Sequence, residues 1–597
     1  MRQRPQASKE PSEPHPLKSL YGAGLWTAAF LLPLAVLPLL ISGFGLAKLS
    51  CLSVSVGLMG LGLALGKPRA MEAPRALLWP LLAGLAVLAA SLLASRDVFL
   101  SVFGQYDHYA FGAYPMALLA GLCLMAALAS WRERQRTLDW MLAAAGLVAG
   151  LGLLQAAGFA SLGPAPGFTG ARPIATIGGA VSFAAYLCVM FPLALHRCLE
   201  GRTLWPWLVL GLTGLGLLAS GGRAGLVGAC AGALAYLACS GGLPRSRQGR
   251  LWLVAGLVAL AGFAAWRLST RPLRTMLSAD VARVEVWRVA WDAFKDRPLL
   301  GAGPDAFELE FRQRRGEDLI RRTRALFPTH SHNDVLQAMA TTGLLGLAAY
   351  LAVLLAGGAL ILQRLKEPGS RSWAAAMAGG LASAFVVMKF NPVSFETLAP
   401  AGLLLGFLAP APEPEGGSPR PGLSRALAAL GIASCLLCLW LVRVDAGVSW
   451  CFSVGRLQGP GLGLSCLIRA VDRRPCETRY QALMADVLNE ALASLPLERG
   501  RGLLSSAGPV AEQGAACRPR YAPAADTLGF LALMQAKAGD SGRLDLAEAS
   551  FDRALELDPC GKGIVYRRML AARERGDKDL ERSLKERYER LHALGKD

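Results

Sequence analysis

Apolar runs of about 17–25 residues recur along most of this chain, and that length is what a helix needs to cross hydrocarbon. Thirteen candidate spans fall near 22–41, 45–66, 76–95, 110–130, 138–158, 174–196, 203–219, 222–240, 251–267, 333–362, 373–390, 395–410 and 422–442. The predicted fold is all-α: a polytopic membrane helix bundle of about twelve or thirteen spans. Twelve is the alternative count because spans 203–219 and 222–240 are separated by little more than Ser220-Gly221-Gly222. Charge content agrees, since 18% of the 597 residues are charged, against about a quarter in soluble chains. Residues 1–18 are polar and Pro-rich and read as a disordered tail. The first apolar run is long enough to stay in the membrane rather than be removed as a signal peptide.

Lysine and arginine set the orientation. With the N-terminus cytoplasmic, the inner loops carry Lys67, Arg69 and Arg75, then Arg132, Arg134 and Arg136, then Arg197 and Arg202, then Arg245, Arg247 and Arg250, then Arg364, Lys366 and Arg371. The opposite loops are mostly poor in both. The exception is the outer loop 268–332, which carries eleven arginines from Arg271 to Arg324. Arg172 and Arg223 are lone outer arginines at span boundaries. Arginine suits bidentate contact with phosphate, so an anionic outer-face substrate is the simplest demand that overrides the rule. Two plainer readings compete: long loops escape the rule, and Arg223 can be a snorkelling boundary residue.

Within that loop, Val284, Trp287, Trp291 and Phe294 recur at helical spacing, predicting an amphipathic helix over 281–296 that rests on the membrane surface or the bundle mouth. The tryptophans fit plain interfacial anchors equally well. Pro298-Leu299-Leu300-Gly301-Ala302-Gly303-Pro304 then predicts a turn, followed by a short helix through Phe307 and Phe311. The loop ends at Thr329-His330-Ser331-His332-Asn333-Asp334. Ser331 is the expected cap of a helix beginning at His332, with Asp334 at capping-box spacing. The positive end of that helix would disfavour imidazolium, leaving His332 neutral and able to accept a proton. The same helix end would attract phosphate. The alternative is a histidine that only packs at a helix start. His330 reads as a neighbour, and His-x-His without a flanking Cys or carboxylate is a weak metal signal.

Four segments resemble the O-antigen ligase and polymerase superfamily of multispanning glycosyltransferases. They are Arg172-Pro173-Ile174-Ala175-Thr176-Ile177-Gly178-Gly179, Ser220-Gly221-Gly222-Arg223-Ala224-Gly225, Arg288 and Trp291 followed by Asp296-Arg297-Pro298-Leu299-Leu300-Gly301-Ala302-Gly303, and His332-Asn333-Asp334-Val335-Leu336-Gln337 with Gly343-Leu344-Leu345-Gly346. Order, spacing and topology agree over about 170–360. One departure is Gly179-Ala180-Val181, where members often have Asn-Pro-Asn. The resemblance implies transfer of a glycan from undecaprenyl diphosphate to an acceptor hydroxyl at the periplasmic face of the bacterial inner membrane, without cofactor or metal. It implies His332 as the catalytic base, Arg172, Arg223 and Arg288 at the diphosphate, and Ser331, Asn333 and Asp334 in support. The expected acceptor is lipid A–core, as in an O-antigen ligase of lipopolysaccharide assembly. A polysaccharide polymerase or a protein O-oligosaccharyltransferase is the alternative within this chemistry. A non-catalytic exporter of lipid-linked glycan is the alternative outside it.

The domain reading is a tail at 1–18, a membrane glycosyltransferase domain at 19–442, and a periplasmic helical domain at 443–597. In the last, Leu546-Ala547-Glu548-Ala549-Ser550-Phe551-Asp552-Arg553-Ala554-Leu555-Glu556-Leu557-Asp558-Pro559 resembles the second helix of a tetratricopeptide repeat. Ala547 and Ala554 allow close packing, Phe551 fills the groove, and Pro559 ends the unit. Such a domain can bind a protein partner or position the acceptor, or it can simply stabilise the outer face. Cys451, Cys466, Cys476, Cys517 and Cys560 lie here. Disulfides are permitted if the domain is periplasmic, but their pairing is not legible. Nucleic acid is not needed to explain the net charge of +19.

Overall fold

A computed structural model describes residues 19–65, 75–106, 108–159, 172–201, 203–241, 273–323, 328–411, 421–458, 460–492 and 497–594. The described residues are helical, with no strand among them. The bundle helices in chain order are α1 (Leu20–Leu34), α2 (Gly45–Leu65), α3 (Arg75–Leu93), α4 (Ala113–Ala126), α5 (Trp131–Ala156), α6 (Ala180–Glu200), α7 (Trp205–Ser220) and α8 (Arg223–Ser240). The outer loop supplies α9 (Leu273–Asp296), α10 (Phe307–Arg314) and α11 (Glu317–Thr323). The bundle resumes with α12 (Asp334–Lys366), α13 (Arg371–Met388), α14 (Phe395–Phe407) and α15 (Pro421–Gln458). Eight of these are long and apolar enough to cross a membrane, while α1, α4, α7 and α14 are shorter apolar helices. Twelve of the expected spans thus have a helix. The expected span 251–267 lies outside the described residues.

Lipid offers no hydrophobic drive between spans, so close packing depends on small residues. Ser383 Oγ donates to Gly228 O at 2.9 Å, which draws α13 onto α8. A side chain on Gly232 would strike Gly379 O at 2.6 Å. Buried polar groups close helix ends. Arg134 is fully buried. It donates to the carbonyls of Ala127, Ala129, Phe407 and Ala409, satisfying the last turns of both α4 and α14.

At the opposite end of the bundle, Asp445 gathers distant segments. It accepts from Ile41 N at 2.8 Å, from Tyr480 Oη at 2.6 Å and from Tyr106 Oη. Helix α15 runs unbroken past 442, so the membrane and C-terminal parts share one helix, where the sequence suggests a boundary at 442/443. The C-terminal helices are α16 (Pro460–Asp472), α17 (Thr478–Leu492), α18 (Leu497–Cys517), α19 (Ala522–Lys537), α20 (Arg543–Leu557), α21 (Lys562–Arg575) and α22 (Lys578–Leu594). Ala547, Phe551 and Ala554 are fully buried, and Phe551 packs against Gly529 of α19. Disulfides join Cys451 to Cys466 and Cys476 to Cys517, while Cys560 is buried and reduced.

These helices sit on the arginine-rich loop. Arg518 Nε donates to Asp97 at 2.6 Å, and Arg315 Nη2 donates to Asp558 at 3.0 Å, with all four side chains buried. Ile320 of α11 enters the apolar core formed by Val565, Met569 and Leu584. The C-terminal helices and the His332 loop therefore occupy the same end of the bundle.

Candidate functional site

The site forms where the Pro298–Gly303 turn crosses the start of α12. Ala302 N donates to Ala340 O at 3.0 Å, Gly303 N to Thr341 O at 2.9 Å, and Leu344 N to Pro298 O at 2.7 Å. Two glycines permit this crossing of backbones. Gly301 has φ +66° and Gly343 has φ +68°, a region that side-chain-bearing residues rarely adopt. A Cβ on Gly301 would lie 2.3 Å from the Thr341 carbonyl carbon, and one on Gly343 would lie 2.4 Å from that of Leu299.

Gly343 also breaks α12, with φ 68° and ψ −161°. The span expected at 333–362 is therefore two segments, 334–342 and 344–366. The break turns the second segment so that Tyr350 Oη donates back to Asp334. Lys389, just past α13, donates to both Asp334 oxygens at 2.5 and 2.7 Å. Asp334 thus pins the first segment to the end of α13.

The cap is Asn333, two residues after the expected Ser331. Asn333 Oδ1 accepts from Val335 N at 3.0 Å and Leu336 N at 3.2 Å, and the helix begins at Asp334. Ser331 instead donates from Oγ to Asn333 O at 2.8 Å, and its N–H goes to Gln337 Oε1 at 2.9 Å. His332 precedes the helix in the left-handed region, φ 57°, which is uncommon for such a residue. Its N–H donates to His330 Nδ1 at 2.9 Å. His330 is buried against Phe111 with ring centroids 5.0 Å apart. Because His330 Nδ1 accepts, a neutral His330 carries its proton on Nε2.

Burial first, then the charge of Arg283, lowers the His332 pKa to about 4. Burial, then His332 and His108, lowers that of His330 to about 3. Both imidazoles are neutral at neutral pH. The cause for His332 is desolvation and a neighbouring arginine, where the sequence points to a helix dipole. His330 Nε2, His332 Nδ1, Gln337 Nε2 and Trp287 Nε1 are buried and lack a hydrogen-bond partner among the described residues. Each such group costs about 1–3 kcal/mol. Three of them share the hydrogen-bonded 330–337 segment, and Trp287 stands one turn from Arg283 on α9. A ligand rich in oxygen would satisfy them.

Arg172 and Arg223 stand together. Arg172 Nε donates to Ser220 O at 2.6 Å. Its guanidinium lies 4.0 Å from the Cβ position of Gly222, the residue before Arg223. The turn after Arg172 is held rigidly. Gln155 Oε1 accepts from Ile174 N and Ala175 N at 3.1 and 2.8 Å, and buried Lys48 donates to Thr176 O at 2.8 Å. Arg223 is the exposed first residue of α8, so Arg172 reaches the turn that leads into the helix N-terminus where Arg223 stands, a setting suited to anions. Following the α8–α13 pairing from Gly228–Ser383 toward the end of α13 brings Arg223 level with Lys389, and Lys389 holds Asp334. Arg172, Arg223 and the His332 segment therefore share one end of the bundle.

Arg288 stands differently. It is exposed, pairs with Glu285 at 3.0 Å, and lines a groove with Asp292, Asp318 and Arg322. Arg283 of the same helix is the arginine that acts on His332. The buried face of α9 is Val286, Val289, Ala290 and Ala293, packed on Phe307, Phe311 and Leu336. Val284 and Trp291 of the expected stripe remain 49% and 47% exposed. The sequence assigns no role to Lys389 or Tyr350, and it offers Arg283 only as one of the eleven loop arginines and Gln337 only as part of the His332 segment. A lysine closing an apolar run was the one available signal.

Residues 208–351 match the family model described as O-antigen ligase. The match runs from α7 into the second segment of α12 and takes in Arg223, Arg288, Gly301, His332 and Gly343, with Arg172 upstream of it. It supports the O-antigen ligase superfamily, the one to which four sequence segments pointed. No curated protein matches the chain.

Proposed function

We propose that this membrane protein, with its O-antigen ligase-type domain, moves a glycan from undecaprenyl diphosphate to an acceptor hydroxyl at the periplasmic face of the inner membrane. The observation that carries the reading is His332: neutral, acted on by Arg283, with Nδ1 unpartnered, at the same bundle end as the Arg172–Arg223 pair. The acceptor oxygen attacks the anomeric carbon as its proton passes to His332, directly or through a water. The bond from that carbon to the phosphate oxygen breaks, and the electron pair leaves with the diphosphate. Arg172, Arg223 and Arg283 stabilise the charge that develops there. Arg288 is a secondary candidate because Glu285 already engages it. Asn333, Asp334 and Ser331 position the imidazole. Two disulfides in the C-terminal helices support an oxidising compartment for this face.

The specific role we favour is O-antigen ligase, with lipid A–core as acceptor. A strain lacking the protein tests it: polymer persists on the carrier and vanishes from lipid A–core. Single repeat units on lipid A–core would instead mean a polymerase. Unmodified periplasmic glycoproteins would mean a protein O-oligosaccharyltransferase, a reading that the C-terminal helices docked on the catalytic loop favour as a platform for a large acceptor.

The pKa of His332 gives a pH test. A base is lost as pH falls through its pKa, so kcat/KM for the purified protein should stay flat from pH 8 to about 5 and decline toward 4. A bound diphosphate offsets Arg283 and raises the imidazole pKa, so the kcat limb should lie at higher pH than the kcat/KM limb. A kcat/KM limb near pH 6.5 would contradict the buried, arginine-flanked imidazole.

A further inference from the structure

Outside this site, a groove of about 420 Å³ lies between the outer loop and the C-terminal helices. Arg96, Arg297, Arg312, Arg520 and Arg553 line it against one lining carboxylate, Glu556. Some of this charge is already engaged: Arg312 holds Glu308 and Asp558, and Arg553 holds Glu556. Among the described residues Arg297 donates only to the neutral carbonyl of Ala94, at 3.2 Å. Arg520 is exposed and makes no hydrogen bond or ion pair among the described residues. Arg96 pairs with Glu310 at 3.0 Å and donates to Gln313 at 2.5 Å, and it also feels Arg297, Arg314 and Arg520 as like charges. Packing like charges this closely is unfavourable unless an anion joins them. Leu309, Tyr521, Ala522 and Leu557 also line the groove, apolar surface that suits a sugar ring carrying a charge better than a bare ion. The groove is tied to the site through one turn. Arg297 begins the Pro298–Gly303 segment whose far side holds Ala340 and Thr341.

We propose that this groove binds an anionic sugar of the acceptor, one bearing a phosphate or carboxylate group. It rests on the transferase reading for the word acceptor, but not for the binding itself. The test titrates glucose 6-phosphate, glucuronate and, as neutral control, glucose into the full-length protein in zwitterionic nanodiscs, read by calorimetry. At least one anionic sugar binds in the millimolar range, binding weakens as ionic strength rises, and glucose gives no heat. Arg520→Glu with Arg553→Glu weakens binding at least tenfold with an unchanged melting temperature. If the double variant unfolds, Arg520→Ser alone should still weaken binding severalfold. Which anion binds distinguishes a phosphorylated sugar from a uronic acid. His332→Asn binds as wild type does, so loss of the transferase reading would leave this result standing. Silence from both anions, undiminished binding in the double variant, or a loss seen only with Arg172→Ala and Arg223→Ala would overturn the proposal.

Discussion

His332→Asn should lower glycan transfer by about 10²–10⁴-fold, the range supplied by a positioned general base. Asparagine is the informative substitution. It tolerates the left-handed backbone that His332 adopts at φ 57°, so the chain can keep its path while losing the proton acceptor. Its amide cannot take a proton from an attacking hydroxyl. Carrier-linked glycan should accumulate, because donor synthesis and binding at Arg172 and Arg223 do not depend on the imidazole. His330→Asn should cost less, since His330 holds the backbone of His332 and does not itself take the proton. The measurement is transfer by purified protein with a defined lipid-diphosphate glycan. A His332→Asn protein working within tenfold of wild type would remove the base from the mechanism. An exporter makes the reverse prediction: transfer by added ligase survives the substitution, and carrier translocation fails.

Much of the bundle was legible because hydrocarbon imposes one requirement, a helix of sufficient apolar length, and the sequence states length directly. Arginines out of place against the positive-inside rule point to Arg172 and Arg223, and Arg172 reaches the Ser220–Gly222 turn that precedes Arg223. Contacts between segments were not legible. Ser331 and Asn333 are both good caps two residues apart; Gln337 and His330 decide between them by engaging the Ser331 and His332 amides. Helix α9 offers two apolar stripes. The one with large residues, Val284 and Trp291, is the stripe expected to rest on the membrane surface or the bundle mouth; the face packed on Phe307 and Phe311 is the other, where Ala290 and Ala293 allow close approach. Nothing in the sequence pairs Lys389 with Asp334, which lies 55 positions earlier and reaches it only through the fold. The cysteine pairs depend on the fold in the same way.

The glycine motifs were recognisable as motifs, yet their physical reason lies in the crossing of two backbones, and this gives the second large effect. Gly343→Ala should destabilise the protein by about 2–4 kcal/mol, combining left-handed strain with overpacking. The atoms that a new Cβ would meet belong to the Leu299 and Leu300 backbone, 2.4 to 2.6 Å away. No flexible side chain can swing aside. Relief requires the Pro298–Gly303 turn to withdraw, which breaks the Leu344 N to Pro298 O bond and releases the 334–342 segment that follows His332 and its Asn333 cap. Transfer should therefore fall along with thermal stability, and Gly301→Ala, facing Thr341 from the other side of the crossing, should do the same. Gly358→Ala is the matched control. It lies in the same helix with nothing within 4 Å of its Cβ position, and alanine is the better helix former by up to about 1 kcal/mol. Melting and transfer measured together on the three variants separate the cases. If Gly343→Ala melts and transfers like Gly358→Ala, the interlocked turn is not what holds the site.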